Sequence, residues 1–130
     1  MSGAAELKVA VLDMQPIDPP VGGGRIRLLG LYHRLGLPVV YVGSFDWPGE
    51  EARDVRLGPT LREVDVPLAP GHFEACARLQ QRWGLKPLID VTFPRLARRS
   101  PEFIARAAQE ADGADIVVFS HPWVYPLIRR

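Results

Sequence analysis

The segment from Lys8 to Leu35 constrains the fold more than any other part of the chain. It begins with a short apolar run, Val9 to Leu12, continues through a proline-rich loop to three glycines, and ends in a stretch with helical periodicity, Arg25 to Leu35. A short apolar run bounded by turn residues is typical of a strand that is buried on both faces. The segment therefore predicts a strand, a glycine loop and a helix, in that order.

Four apolar side chains of this helix recur at intervals of three and four residues and should face the core: Leu28, Leu31, Tyr32 and Leu35. Gly36 and Pro38 follow and favour the end of the helix. Free backbone N–H groups and the helix dipole favour an anion at the N-terminus, where the glycine loop opens. Three consecutive glycines would let a ligand approach the backbone closely. The alternative is a flexible connector.

The glycines match neither of the standard nucleotide-binding motifs. A dinucleotide-binding fingerprint places its first glycine directly after the strand, whereas eight residues separate Asp13 from Gly22. The third glycine of that motif is missing, and so is the Gly-Lys-Ser/Thr ending of a Walker A loop. The aspartates form no Asp-x-Asp pair, and His33, His72 and His121 lack the spacing of metal ligands. We expect no metal and no cofactor.

Composition narrows the class of protein. A chain of 130 residues fits one domain, and 47% hydrophobic with 24% charged residues is ordinary for a soluble globular protein. A net charge of +1 gives no reason to expect nucleic acid as a partner. A single cysteine suits a reducing compartment. No signal sequence and no apolar run near the ~20 residues of a membrane helix is present, so the expected location is cytoplasmic.

The rest of the chain alternates strand and helix patterns. The predicted strands are Val39–Gly43, Leu61–Leu68 at a half-exposed sheet edge, and a buried Ile116–Ser120, with residues 44–59 as a loop. Helices are predicted at Gly71–Trp83, stopped by Lys86 and Pro87, and after the N-cap Ser100, with Pro101 at the first helical position and Gly113 past the end. Residues 88–93 suit either a short strand or an extended connector.

Strands that alternate with helices predict an α/β fold with a doubly wound, mainly parallel, Rossmann-like sheet. In that architecture the first and fourth strands are neighbours, in the order 3-2-1-4, and ligands bind at their carboxyl ends, where the strand order reverses. The loop Gln15–Gly24 and the segment His121–Tyr125 should therefore converge on one crevice. The apolar fourth strand would form an unprotected edge. We therefore expect residues 1–130 to be the first domain of a longer polypeptide.

The order and spacing of these features resemble the N-terminal domain of retaining glycosyltransferases with the GT-B fold, the glycosyltransferase family 4-like proteins. The residues that carry the resemblance are Val9–Leu12, Pro16, Pro19, Pro20, Gly22, Gly23, Arg27, Leu31, Gly36, Val39, Val40 and, near the other end, residues 114–122. Residues 44 to 112 match nothing specific. The resemblance implies an acceptor-side domain, a separate C-terminal domain that binds most of the donor, and no sugar transfer by these 130 residues alone.

The resemblance also implies roles for particular residues. His121 takes the place of a histidine that contacts the transferred sugar or the acceptor, where a neutral imidazole could accept a hydrogen bond from a hydroxyl. Gly22, Gly23 and Gly24 would let the donor diphosphate or the acceptor reach backbone amides, and Arg25 or Arg27 could pair with the phosphate. Trp123 and Tyr125 could stack on a sugar, or they could anchor the core.

The implied substrates are a nucleotide sugar and an acceptor that is either a glycan or lipid-linked. Arg95, Arg98 and Arg99 form a basic cluster that could touch an anionic lipid or the inner face of a membrane, although a solvated surface run is the alternative. A rival hypothesis is a non-catalytic Rossmann-like module that binds a nucleotide or a small phosphate. A purely structural interaction domain would leave the three glycines and His121 unexplained.

Overall fold

The structure is a computed structural model that describes residues 6–84 and 89–128. Its strands are β1 (Val9–Leu12), β2 (Val39–Gly43), β3 (Arg53–Arg56), β4 (Leu61–Asp65) and β5 (Ile116–Phe119). Its α-helices are α1 (Gly22–His33), α2 (Pro70–Trp83), α3 (Ile89–Leu96) and α4 (Pro101–Asp112), and 3-10 helices span Ala97–Arg99 and Pro122–Ile128. The expected helix stop at Lys86 and Pro87 lies outside the described residues.

The five strands form one sheet in the order β3-β4-β2-β1-β5, in which only β3 is antiparallel to its neighbour. Val11 in the central strand β1 pairs with Tyr41 of β2 on one side and Val118 of β5 on the other. The sheet is a Rossmann-like, doubly wound α/β sheet, which confirms the predicted fold class. The predicted neighbours, with the order reversing beside β1, are also confirmed.

Alternate side chains of the sheet enter two apolar clusters on opposite faces. One cluster contains Leu12 with Phe93 of α3 and Phe103 of α4, and the other contains Val11 with Leu28 and Tyr32 of α1. Every residue of β1 is buried, as expected for a central strand covered on both faces. The helices therefore cover both faces of β1, and its two ends are where a ligand could reach it.

Helix α1 differs from its prediction at both its start and its apolar face. It begins at Gly22, so the three glycines form the first helical turn and not a loop before it. Leu28 and Tyr32 are buried, but Leu31 is 50% and Leu35 43% exposed. Leu28 and Tyr32 lie one turn apart and point to the sheet, where Tyr32 packs against Tyr41. Only this narrow stripe contacts the core, so the predicted inward orientation of Leu31 and Leu35 was wrong.

The region predicted as a loop, residues 44–59, contains the edge strand β3. Because β3 pairs with β4, the predicted third strand is an interior strand and not a half-exposed edge. Three of the four residues of β3 are charged, which concealed its alternation in the sequence. Strand β5 is an edge strand, as predicted, but Ile116 and Phe119 are exposed, so the expectation of a buried strand was wrong.

Neither of the two alternatives for the segment before the basic cluster was correct, since residues 89–96 form helix α3. Thr92, Phe93 and Leu96 are buried from this helix, and their spacing of one, three and four residues is helical and not alternating. The predicted helices α2 and α4 are confirmed, and Ser100 is the N-cap residue of α4. Among the described residues, no helix has the combined length and hydrophobicity needed to cross a bilayer.

Candidate functional site

The candidate site lies at the carboxyl ends of β1 and β5, where the strand order reverses. Ser120 donates its backbone N–H to the carbonyl oxygen of Leu12 over 3.0 Å, which extends the pairing of the two strands by one step. The next residue of each chain segment is Asp13 after β1 and His121 just beyond Ser120. The parallel register therefore brings these two side chains together, although 108 positions separate them in the sequence.

His121 and Asp13 form a hydrogen-bonded dyad. His121 Nδ1 lies 3.0 Å from Asp13 Oδ1, and the Asp13 side chain is 1% exposed. The same carboxylate oxygen accepts the N–H of Met14 at 2.7 Å. A carboxylate only accepts hydrogen bonds, so Nδ1 carries a proton in this contact, and in the neutral imidazole Nε2 then keeps its lone pair. The half-buried imidazole is thereby oriented as an acceptor for a ligand hydroxyl.

Tyr41 of β2 contacts the Asp13 carboxylate of the dyad. Its hydroxyl lies 2.7 Å from the carbonyl oxygen of Gln15 and 3.1 Å from Asp13 Oδ2, and it has one proton to donate between them. Burial, followed by the negative charge of Asp13, raises the pKa of Tyr41 well above its usual value of 10.0. The phenol therefore stays protonated and serves as a fixed donor to the loop and to the carboxylate.

Of the two aromatic candidates, Trp123 packs against the protein. Its ring stacks on the His121 imidazole at a centroid distance of 5.1 Å and an interplanar angle of 7°, and it also contacts the core cluster. One face of His121 is therefore covered by Trp123, which limits the directions from which a ligand can approach. Tyr125 is 51% exposed and remains on the surface.

The cleft beside the imidazole has a volume of about 170 Å³. Seven residues line it: Asp13, Met14, Gln15, Asp46, Ile89, Asp90 and His121. The lining contains three carboxyl groups, one amide and one imidazole, and neither arginine nor lysine. Such groups accept and donate hydrogen bonds to hydroxyls, whereas the carboxylates would repel a phosphate. Hydroxyl-bearing ligands therefore suit this cleft better than anionic ones.

The predicted glycine site lies in the first turn of α1, beside this cleft. Gly22, Gly23 and Gly24 are exposed, and a Cβ built on either of the first two would meet nothing within 4 Å. A Cβ on Gly24 would lie 3.9 Å from Oε1 of Gln15, the residue that also lines the cleft. His121 is the only predicted site residue that lines the cleft, and Gln15 joins the two parts.

The two arginine candidates have different environments. The Arg25 guanidinium donates to the carbonyl oxygen of Pro19 over 3.2 Å and lies 5.3 Å from the centroid of the Trp47 ring, so it stabilises the loop. Arg27 is exposed on the outer side of α1. Arg27 is therefore the less restrained of the two for a phosphate that approaches the helix.

The sequence predicted no role in the site for Asp13, Tyr41, Asp46 or Asp90. Asp13 holds the loop through Met14, and it also orients His121. Its position directly after a buried strand was the available signal, because polar residues there lie at the ligand-binding edge. Asp46 and Asp90 reach the cleft from a loop and from α3, and neither has a sequence signal of this kind.

A larger cavity lies elsewhere. It measures about 460 Å³ at the amino ends of the strands and is lined by Lys8, Arg56 and Glu110 among others. Open α/β sheets bind ligands outside the carboxyl ends of their strands. Position in the fold therefore favours the smaller cleft at His121 as the candidate site.

Comparisons of this chain with protein-family models, with curated proteins and with solved structures find no match. The likeness to GT-B glycosyltransferases therefore depends only on the residues quoted above. Among the described residues, no group of three or more His, Cys, Asp or Glu side chains is arranged to hold a metal ion.

Proposed function

We propose that this chain is the acceptor-side domain of a retaining glycosyltransferase that transfers a sugar from a nucleotide sugar to an acceptor hydroxyl. The observation that carries the proposal is the 3.0 Å contact between His121 Nδ1 and Asp13 Oδ1 at the reversal point of the sheet. This contact leaves Nε2 as an acceptor in a cleft lined by carboxyl groups. The sequence resemblance supplies the class of reaction.

In the proposed reaction, Nε2 of His121 accepts a hydrogen bond from a hydroxyl of the acceptor or of the transferred sugar. Gln15, Asp46 and Asp90 hold further hydroxyls in the cleft. Asp13 keeps the imidazole in one tautomer and stabilises positive charge on it if a proton is taken up. The donor diphosphate is placed at the exposed first turn of α1, beside Arg27, where backbone N–H groups and the helix dipole favour an anion.

The rest of the donor site is assigned to a C-terminal domain that the 130 residues do not contain. We also propose a cytoplasmic location, with Arg95, Arg98 and Arg99 as the contact for an anionic lipid-linked acceptor. All three side chains are exposed on α3 and the following 3-10 helix, which supports this contact. A glycan acceptor in solution would not need them.

The test is sugar transfer by the gene product that contains these residues, assayed with a panel of nucleotide sugars. His121→Ala should lower the transfer rate about 100-fold or more, because a positioned imidazole typically contributes that much. Asp13→Ala should also lower the rate, since it removes the acceptor that orients the imidazole. His33→Ala, an exposed histidine at the end of α1, is the matched control and should leave the rate within about twofold.

The second candidate is a nucleotide- or phosphate-binding module without catalysis, and the open first turn of α1 favours it. Titration of this chain with nucleoside diphosphates and inorganic phosphate, followed by amide NMR, separates the two. Three results together would support the binding module and refute the transferase. They are amide shifts confined to Gly22–Gly24, no sugar transfer by the gene product, and phosphate binding that His121→Ala leaves unchanged.

A further inference from the structure

A second polar cluster lies between the loop that follows β1 and the strands β3 and β4. Glu63 and Asp65 lie on the same face of β4 and are both 0% exposed. Arg53 of β3 faces them, with Nε 2.7 Å from Asp65 Oδ2 and Nη2 3.0 Å from Glu63 Oε1. Two buried carboxyl groups therefore share one guanidinium. We call Arg53, Glu63 and Asp65 the loop clamp.

The loop clamp holds the loop through its backbone. Glu63 Oε2 accepts the N–H of Ile17 at 2.5 Å and the N–H of Asp18 at 3.2 Å. Arg53 Nη2 donates to the carbonyl oxygen of Asp18, and its Nη1 lies 3.6 Å from the Asp18 carboxylate. Successive peptide groups of the loop are thereby bound to β4 and β3 at once.

Stability alone does not explain such a cluster. Apolar residues of similar volume are often as stabilising as a buried ion pair or more so, because charged groups must lose their hydration. Asp65 Oδ1 is buried with no hydrogen-bond partner among the described residues. Burial, together with Glu63, raises the pKa of Asp65 to about 8. Selection of one arrangement of the chain is a role known for some buried polar and ionic groups, and we infer that role for this cluster.

The selected arrangement reaches the candidate site. Gln15, two positions before Ile17, lines the cleft, and its carbonyl oxygen lies 2.7 Å from the Tyr41 hydroxyl that also contacts Asp13. A Cβ on Gly43 would lie 2.6 Å from Asp65 Oδ1 and 2.7 Å from the same Gln15 oxygen. The clamp, the loop and the support of the dyad therefore pack against one another without intervening space.

We propose that Arg53, Glu63 and Asp65 are positioning residues, which hold residues 15–18 so that Gln15 faces the cleft and Asp13 keeps the His121 imidazole in one tautomer. They touch no ligand themselves. That this positioning serves sugar transfer rests on the proposed function, whereas the positioning itself is a property of the chain that can be measured without any substrate.

The experiment compares this chain with Glu63→Gln and Arg53→Gln. The first variant keeps one acceptor oxygen but loses the negative charge that the loop N–H groups and Arg53 contact. The second variant removes the guanidinium and leaves a shorter polar side chain. Arg56→Gln is the matched control, because Arg56 lies on the same strand, is exposed and donates a hydrogen bond to the carbonyl oxygen of Pro59. Two signals are read: hydrogen exchange of the Ile17 and Asp18 amides, and the 15N shifts of the His121 imidazole.

Both clamp variants should accelerate exchange of the two amides by about tenfold or more, because each removes charge-assisted hydrogen bonds that local opening has to break. Glu63→Gln removes those of the loop N–H groups, and Arg53→Gln removes the one to the carbonyl oxygen of Asp18. The fraction of imidazole with its proton on Nδ1 should fall in parallel, and Arg56→Gln should change neither signal. Wild-type exchange and wild-type imidazole shifts in folded Glu63→Gln and Arg53→Gln would overturn the proposal.

Transfer assays separate this inference from the proposed function. If the gene product transfers sugar, the clamp variants should lower kcat about tenfold with a smaller change in KM, because a misplaced imidazole affects the reaction more than binding. Altered exchange and imidazole shifts in a protein without transferase activity would support the clamp and contradict the function. Transfer that is unaffected by either clamp variant, with unaltered shifts, would contradict the clamp and leave the function standing.

Discussion

Strands β3 and β4 carry two charged clusters, one on each face of the sheet, and the environments of the two clusters differ. On the face that contacts the loop after β1, which we call the inner face, the loop clamp contains two carboxyl groups without solvent exposure. On the opposite face, which we call the outer face, Asp54 lies 2.6 Å from Arg62 and 3.3 Å from Arg106 of α4. The Asp54 side chain is 46% exposed. Glu110 of α4 completes this outer cluster, 3.1 Å from Arg106.

The difference shows that burial, and not the number of ion pairs, determines what a charged cluster does. An exposed pair contributes about 0–1 kcal/mol, because water and salt screen it and side-chain entropy is lost. A buried carboxylate must keep its partners, since an unpaired charge without water costs several kcal/mol. The outer cluster therefore adds a weak tie between α4 and the sheet, whereas the inner cluster specifies the path of the loop.

The largest difference is expected on truncation of Glu63. Glu63→Ala should lower the free energy of unfolding by about 3 kcal/mol, because it removes a buried partner of Arg53 and leaves the Ile17 and Asp18 N–H groups without an acceptor. Urea unfolding at neutral pH measures this. Asp54→Ala is the matched truncation on the outer face, and equal losses in the two variants would refute the distinction between the clusters.

The second-largest loss of stability is expected at Gly43, which packs against Asp65 of the clamp. Gly43→Ala should destabilise the chain by about 2 kcal/mol, since the new methyl group would lie 2.6 Å from Asp65 Oδ1 and 2.7 Å from a backbone oxygen that cannot move freely. Gly30→Ala, where nothing lies within 4 Å, is the control. It should stabilise the exposed side of α1 by about 0.5 kcal/mol. Thermal unfolding compares the two, and a tolerated Gly43→Ala would contradict the close packing.

Stability should also depend on pH with opposite signs for the two clusters. The pKa of Asp65 is raised to about 8 from 3.8, so the folded chain binds more protons than the unfolded chain between these values, and stability falls as pH rises through this window. The slope is at most about 1.4 kcal/mol per pH unit. For Asp54, the hydrogen bond to Arg62 lowers the pKa of the carboxyl group. The contribution of Asp54 to the free energy of unfolding is therefore present above pH 4 and is lost as the pH falls further.

Urea unfolding midpoints from pH 5 to pH 8 test the pH dependence that Asp65 causes, which is the larger of the two. Asp65→Asn should flatten the profile, because the amide resembles the protonated acid and does not ionise. Asp54→Asn should leave the profile over the same range unchanged. A wild-type profile without a downward slope, or an Asp65→Asn profile with the same slope, would argue against a protonated Asp65 in the clamp.

The smallest effect is expected on the outer face. Asp54→Ala should cost about 0.5 kcal/mol at low ionic strength, and this loss should disappear near 1 M salt, where charges are screened within about 3 Å. The loss caused by Glu63→Ala should persist at the same salt concentration. Salt dependence of both losses to the same degree would show that the two environments are more alike than their burial indicates.

The elements that the sequence predicted well are those with strong local signals. β1 and β2 are apolar runs between turn residues, and α4 has Ser100 at its N-cap and Pro101 at its first position. β3 and α3 lacked such signals. Arg53 and Asp54 are charged residues of a strand, and their partners on β4 and α4 are what make the strand stable. Propensity and periodicity do not contain those partners.

The candidate site divides in the same way. The doubly wound pattern predicted the carboxyl edge of the sheet and the segment that begins at His121, because it implies where the strand order reverses. The role of His121 itself came from the family resemblance. The partner of His121 came from the register of β1 and β5, which aligns Leu12 with Phe119 and so places Asp13 near the imidazole. The stacking of Trp123 on His121 likewise depends on the path of the 3-10 helix after β5.

By itself, the sequence determined the fold class, the central strand and the edge of the sheet at which the strand order reverses, since hydrophobic periodicity and turn residues act over a few positions. Only the tertiary structure decided which side chains meet there. The dyad of Asp13 and His121 and the clamp of Arg53, Glu63 and Asp65 join residues between about 10 and 108 positions apart. Contacts over such distances depend on which strands become neighbours and on what covers them, and no pattern within a few positions specifies that.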